Sequence, residues 1–286
     1  MAQHKNEMPF KPVEDLEFTD DYMFCTVLEE HQDICQEIVE LLLDIKVKDV
    51  EYVNKQQSFT PRYETKGIRL DVYLRDNDRV IDLEMQTVIP VALEKRVRYY
   101  QSVMDVSELE RGKGYDEVKD SYVVFICLTD PFKAQYPIYT VKNTFEENPN
   151  IEYTDGRHVV FFNASAYKHA KTEKIKTFLE YLSTKNSKDE LTDKIDNIVS
   201  TTKVKEEFGR TYMIAKMRDV MMRKEGYVEG FSSGIQQGIC QGEHNKALET
   251  AKNMLKKEII AETVAECTGL SLDTIENLKE ALFQTG

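Results

Sequence analysis

The sequence predicts a mixed α/β domain followed by an all-helical extension, and three observations predict it. Strand-like runs, among them the almost wholly apolar residues 121–128 (SYVVFICL), are confined to the part before about residue 165. From Lys168 onward, Lys, Glu and Leu recur at helical spacing and strand patterns stop. Within that second part Gly226, Gly230, Gly234, Gly238 and Gly242 stand every fourth residue, a helical step.

Each element has its own warrant. An amphipathic helix is expected over residues 20–43, with Thr19, Asp20 and Asp21 placed to cap it and Phe24, Val27, Leu28, Ile34, Ile38, Leu41 and Leu42 drawing one buried stripe. Strands are expected over residues 50–53, 67–74 (GIRLDVYL) and 80–86 (VIDLEMQ), then a helix over 92–109 closed by Gly112 and Gly114. Residues 121–128 read as a central strand buried on both faces. Two more strands, 137–144 and 158–163 (HVVFFN), follow, with a turn at Asp155-Gly156. This order defines an α/β core over residues 1–168.

A helical extension over residues 169–242 should hold helices near 171–184, 189–201 and 203–225 before the glycine-stepped segment. A glycine in a helix costs about 1 kcal/mol relative to alanine. The five in step therefore mark either a groove for close helix–helix contact or a flexible linker, and the sequence leaves both open. A small helical module over 243–286 closes the chain. Its end has helix-turn-helix proportions, with a turn at Gly269-Leu270 and Ser271 capping the last helix. Asp273, Glu276 and Glu280 make that last helix acidic, so protein contact is expected of it rather than reading of a DNA groove.

Composition narrows the classes. With 41% hydrophobic residues among 286, the chain can bury a sizeable core. Its net charge of −13 excludes a protein that coats nucleic acid by non-specific phosphate contact, but not one acting through a local basic groove or through metal ions. No apolar run approaches the roughly 20 residues of a membrane span, and the opening MAQHKNEMPFKPVEDLEF has no signal-like apolar stretch. Cys25, Cys35, Cys127, Cys240 and Cys267 are odd in number and widely spaced, which favours neither disulfides nor a zinc site. A soluble, reduced, cytoplasmic protein without membrane contact is expected. The five histidines form no metal or nucleophile pattern, and no phosphate-binding Walker loop is present.

Chemistry is concentrated in residues 68–86 (IRLDVYLRDNDRVIDLEMQ). Two alternating strands flank Asp76-Asn77-Asp78, a natural hairpin turn. A hairpin symmetric about Asn77 and Asp78 sets Asp71 directly opposite Glu84, their Cβ atoms about 4.5–5.5 Å apart. Leu70, Val72, Leu74, Ile81, Leu83 and Met85 form an apolar face; Asp71, Tyr73, Asp82, Glu84 and Gln86 form the other. Such acids could be a solvated polar face. Alternatively, opposed carboxylates are reconciled by a hard divalent cation, Mg²⁺ or Mn²⁺ rather than zinc.

The order of these segments resembles the PD-(D/E)XK nuclease superfamily, and more narrowly its branch of recombination-promoting nucleases and transposase-like proteins. The resemblance runs from FTDDYMF (18–24) through LDVYL, DLEMQ, RVRYY (96–100) and GKGYDEVKDSYVVFICL (112–128) to the glycine-stepped tail. It implies a restriction-endonuclease-like, four-stranded mixed sheet flanked by helices, and Mg²⁺- or Mn²⁺-dependent cleavage of DNA. It makes Asp71 and Glu84 catalytic metal ligands, helped by the Met85 carbonyl and an acid of the first helix, with Asp21 preferred to Glu37 or Glu30. Gln86 stands where the superfamily usually has lysine, and Leu70 where it has proline. Gln86 can orient water but brings no charge. Arg96, with Lys95 and Arg98, is assigned to phosphate contact; Tyr100 is expected in the core, and Tyr115 is expected to pack its loop.

Three functions follow in order: a Mg²⁺-dependent endonuclease that self-associates through its C-terminal helices, a catalytically inactive nuclease-fold scaffold for protein contact, and a DNA-binding regulator acting through the terminal module.

Overall fold

The computed structural model of the chain describes residues 10–48, 51–53, 57–59 and 68–283. Two helices, α1 (Asp21–Glu30) and α2 (Gln32–Leu43), are followed by β1 (Glu51–Val53), β2 (Gln57–Phe59), β3 (Ile68–Leu70), β4 (Val72–Arg75) and β5 (Arg79–Gln86). Next come α3 (Leu93–Glu108), β6 (Asp120–Cys127), β7 (Ile138–Val141), β8 (Thr144–Phe145), β9 (Asn148–Glu152) and β10 (Arg157–Asn163). The helices α4 (Glu173–Thr184), α5 (Glu190–Lys203), α6 (Glu206–Leu255), α7 (Ala261–Thr268) and α8 (Leu272–Phe283) complete it.

The expected mixed sheet flanked by helices, with a helical C-terminal region, is the observed architecture. The main sheet has six strands rather than four, in the order β1-β4-β5-β6-β10-β7. β5, β6 and β10 run parallel; β1, β4 and β7 are antiparallel to their neighbours. The parallel step from β5 to β6 is the crossover through α3, which covers one face of the sheet. Under α3 a core forms from Tyr73, Val80, Val97, Tyr100, Met104, Val123, Phe125 and Phe161. α1 lies against β4 and β5, and α2 against α4 and α5. β6 is buried from Val123 to Cys127, as a strand covered on both faces must be.

The structure corrects several boundaries. The single first helix breaks at His31, whose backbone (φ −123°, ψ 77°) leaves the helical region. α1 buries seven consecutive residues, Tyr22–Leu28, whereas α2 buries one stripe of Ile34, Cys35, Ile38, Val39 and Leu42. One straight axis does not serve both patterns, and Leu41 is only half-buried. Asp20 is the N-cap residue by position, but its carboxylate accepts from Lys11 Nζ and the Glu17 N–H, both at 2.7 Å, instead of capping. The strand over 67–74 breaks at Asp71, and β3 pairs with β2 in a separate ribbon. β9 had no alternation to announce it, because all its residues are exposed. Tyr115 does not pack its loop; it is 91% exposed. Val50 and Gly67, the first residues of two expected strands, lie outside the described residues.

The chain divides into two compact units, Met1–Met213 and Ile214–Gly286. In the second, Ala251, Leu255, Val264 and Ile275 form a small core, with Gly269 (φ +70°) turning the chain and Ser271 Oγ accepting from the Thr274 N–H at 3.3 Å. Gly226 to Gly242 lie inside uninterrupted α6, which replaces the linker reading, and nothing stands within 4 Å of where their Cβ atoms would be. Among the described residues, no helix is long and apolar enough to cross a membrane. Among the described residues no disulfide is formed.

Candidate active site

The site grows out of the β4–β5 hairpin. The observed pairs are Val72↔Leu83, Tyr73↔Asp82, Leu74↔Ile81 and Arg75↔Val80, the register that the turn at Asn77 and Asp78 predicts. One step further, where Asp71 should face Glu84, side chains replace the backbone ladder. The Asp71 N–H donates to Glu84 Oε1, and the Met85 N–H donates to Asp71 Oδ2, each at 3.1 Å. Asp71 and Glu84 therefore interlock and are 8% and 0% exposed. These two hydrogen bonds to strand N–H groups help hold both acids in place inside the fold.

The electrostatics of this end of the sheet are unbalanced. Asp82 is fully buried, and neither of its carboxylate oxygens has a hydrogen-bond partner. Burial first, and then the charge of Asp71, hold the Asp82 carboxyl well above the ordinary carboxylate range. Burial, followed by Asp82 and Asp71, raises Glu84 likewise, against the pull of Arg96. A buried ion without a partner costs several kcal/mol, so an arrangement of this kind fits a cation-binding pocket better than a structural core.

Among the described residues, a cation reaches Glu84 from the helix side. Arg96, on the first turns of α3, donates from a terminal guanidinium nitrogen to Glu84 Oε2 at 3.4 Å and from Nε to the Tyr100 hydroxyl at 2.6 Å. Its guanidinium carbon lies 5.0 Å from the Tyr100 ring centroid. Tyr100 is a core residue, as expected, and buried against Phe125. Gln86 Nε2 donates to Glu84 Oε2 at 3.1 Å. Lys95, Arg96, Tyr99 and Ser102 share one face of α3 by helical spacing, and with Arg98 they line a cavity of about 930 Å³. Asp21, Asp71, Met85 and Gln86 line the same cavity.

The residues singled out from the sequence thus sit in one place: Asp71, Glu84, Gln86 and Arg96 in direct contact, with Asp21, Met85, Lys95 and Arg98 around the same hollow. Glu30 is tied elsewhere, to Lys205 Nζ at 2.9 Å. Two features were not read from the sequence. One is the isolation of Asp82. The other is Cys25: among the described residues, the ligand atoms that lie within 4.8 Å of one another belong to Asp21, Cys25 and Asp71, a group that does not include Glu84. The available signal was the four-residue interval from Asp21 to Cys25, which puts both on one helix stripe.

A sheet with acids on its central hairpin, a helix that brings Lys95, Arg96 and Arg98 to the cavity and the D…ExQ order define a nuclease-type α/β core. Residues 17–229 match the PD-(D/E)XK nuclease family transposases, and the chain belongs to that family. No curated protein and no solved structure matches it.

The raised carboxyls set a pH dependence. A carboxyl whose folded pKa exceeds its unfolded value of about 4 takes up a proton on folding. The stability that Asp82 and Glu84 contribute is therefore fullest at the acid end and is lost as pH climbs through their raised folded values. Asp82→Asn removes one of these protons. Without divalent ions, thermal midpoints of variant and wild type should diverge in favour of the variant as pH rises above the unfolded value of about 4. Parallel pH profiles would contradict the assignment.

Proposed function

We propose that the chain is a divalent-cation-dependent DNA endonuclease of transposase-like, recombination-promoting type. The observation that carries this reading is Asp71, interlocked with the buried Glu84, lining a cavity that Lys95, Arg96 and Arg98 also line. The donor set fits the cation: the oxygens are hard ligands, and both carboxylate oxygens of buried Asp82 lack a hydrogen-bond partner. Asp71, Glu84, the Met85 carbonyl and Asp21 would hold Mg²⁺ or Mn²⁺. Such a cation supplies Lewis-acid polarisation of the phosphate and a bound water of lowered pKa.

The protein's own groups do the rest. Lys95 and Arg98 are exposed at the cavity and would anchor the phosphates of the bound strand. Gln86, held through its amide nitrogen by Glu84, keeps its amide oxygen to orient the attacking water. The charge that lysine would bring at that position comes from Arg96, 3.4 Å from Glu84. This division of labour puts cleavage in residues 1–168, with residues 169–242 and 243–286 serving assembly. In α6 the exposed Ile214, Met217, Met221, Val228, Phe231 and Ile235 fall at three- and four-residue steps of a heptad seam, interrupted at Lys224. That seam, continued by Gly238 and Gly242, would pair with a second copy.

The inactive-scaffold reading is favoured by the glutamine in the lysine position and by this same exposed seam. Nicking of supercoiled plasmid with Mg²⁺ or Mn²⁺ separates the two readings. Asp71→Ala and Glu84→Gln should each lose on the order of 10²-fold or more, and Gln86→Ala roughly tenfold. Equal nicking by wild type and Asp71→Ala removes the proposed mechanism, and a silent wild type that takes up no Mn²⁺ in calorimetry favours the scaffold. For assembly, light scattering should give a multimer for wild type and a monomer for Phe231→Glu combined with Ile235→Glu. An unchanged mass for the double variant would rule the seam out.

A further inference from the structure

We infer that Cys25 is itself a ligand of the cation held at Asp21 and Asp71, so that the centre favours borderline cations such as Fe²⁺ or Co²⁺ over Mg²⁺. The inference rests on the metal-dependent reading above and deepens it by naming the class of metal. Cys25 lies on α1 one turn after Asp21, fully buried, with Sγ 3.9 Å from Asp21 Oδ1. Its Sγ and one oxygen from each of Asp21 and Asp71 lie within 4.8 Å of one another. Two ligands of a single cation, with metal–oxygen bonds of about 2.1 Å and a metal–sulfur bond of about 2.3 Å, stand roughly 3–4.5 Å apart. The spacing suits one shared ion.

Burial alone would not single Cys25 out, because all of Tyr22–Leu28 is buried. What distinguishes it is the sulfur's place beside two carboxylates instead of among apolar side chains alone. A second observation points independently to a cation at this end of the sheet: Asp82, 0% exposed and two residues before Glu84 on β5, has two carboxylate oxygens without a partner. Arg96 is occupied with Glu84 and Tyr100. A thiolate is a soft donor that Mg²⁺ accepts poorly and borderline transition cations accept well. Binding would release the thiol proton to solvent as the sulfur–metal bond forms.

The test uses the full-length protein and Co²⁺, whose bond to thiolate produces an intense near-ultraviolet charge-transfer band. Wild type should bind Co²⁺ in calorimetry and show the band. Cys25→Ser, checked for folding by circular dichroism and replaced by Cys25→Ala if it fails, should still bind but lose the band. Its preference for Co²⁺ over Mg²⁺ should narrow by about tenfold or more, at least the scale on which metal affinity responds to changes in the outer shell. Asp71→Ala should lose both binding and band. Wild-type binding without the band, a band that persists in Cys25→Ser, or an unchanged metal preference each overturns the role of Cys25 and leaves the nuclease reading intact. If wild type binds none of Co²⁺, Mn²⁺ and Mg²⁺, the nuclease reading falls as well.

Discussion

Two hydrogen bonds that exchange side chain for backbone hold this site together. At the step where the β4–β5 ladder should continue, Glu84 takes the Asp71 N–H and Asp71 takes the Met85 N–H. The sheet loses regular pairing there and gains two carboxylates fixed by the strand backbone, not by mobile side-chain rotamers. The break also frees β3 to leave the sheet and pair with β2. The candidate site is arranged around that interruption: α3 brings Lys95, Arg96 and Arg98 to the cavity beside it, and α1 brings Asp21 and Cys25 near Asp71. The stability lost in the irregular step and the buried charge is offset by the wide core under α3, where Phe161 packs between Phe125 and Phe132 at centroid distances of 5.8 and 4.9 Å.

Much of this was legible in the sequence because it is written in short-range rules. A polar three-residue turn between alternating strands fixes a register, and register alone puts Asp71 opposite Glu84. The uninterrupted apolar run of β6 announces a strand covered on both sides. Helical spacing placed Arg96 and Tyr100 on one stripe, and the contact between them is direct. What was hidden depends on packing between distant segments. The kink at His31 comes from how much of α1 is enclosed, which the pattern of α1 and α2 together does not state. The burial of Asp82 depends on α3 covering what looked like a solvated face. Cys25 reads as one more apolar residue until Asp71 is brought beside it.

The departure at Gln86 has a physical counterweight within the same cluster. A neutral amide at that position leaves three buried acids with less positive charge than a lysine would bring. Arg96 partly restores it from the helix side, and Tyr100 holds the guanidinium by its hydroxyl and its ring. Neither carboxylate oxygen of the fully buried Asp82 has a hydrogen-bond partner. That isolated acid is the strongest physical reason to expect a divalent ion. Such an ion also explains how a chain of net charge −13 could approach a phosphate backbone, since bound cations and the α3 cations would screen the acids where contact occurs.

The most direct measurement is anomalous diffraction from crystals of the wild-type protein soaked in Mn²⁺. The account predicts a single strong manganese peak at the inner wall of the cavity, bonded to the Asp71 carboxylate, with Asp21 or Glu84 completing the carboxylate contacts. Saturating Mn²⁺ that leaves this position without a peak, or that binds only at surface acids remote from Asp71, would contradict it.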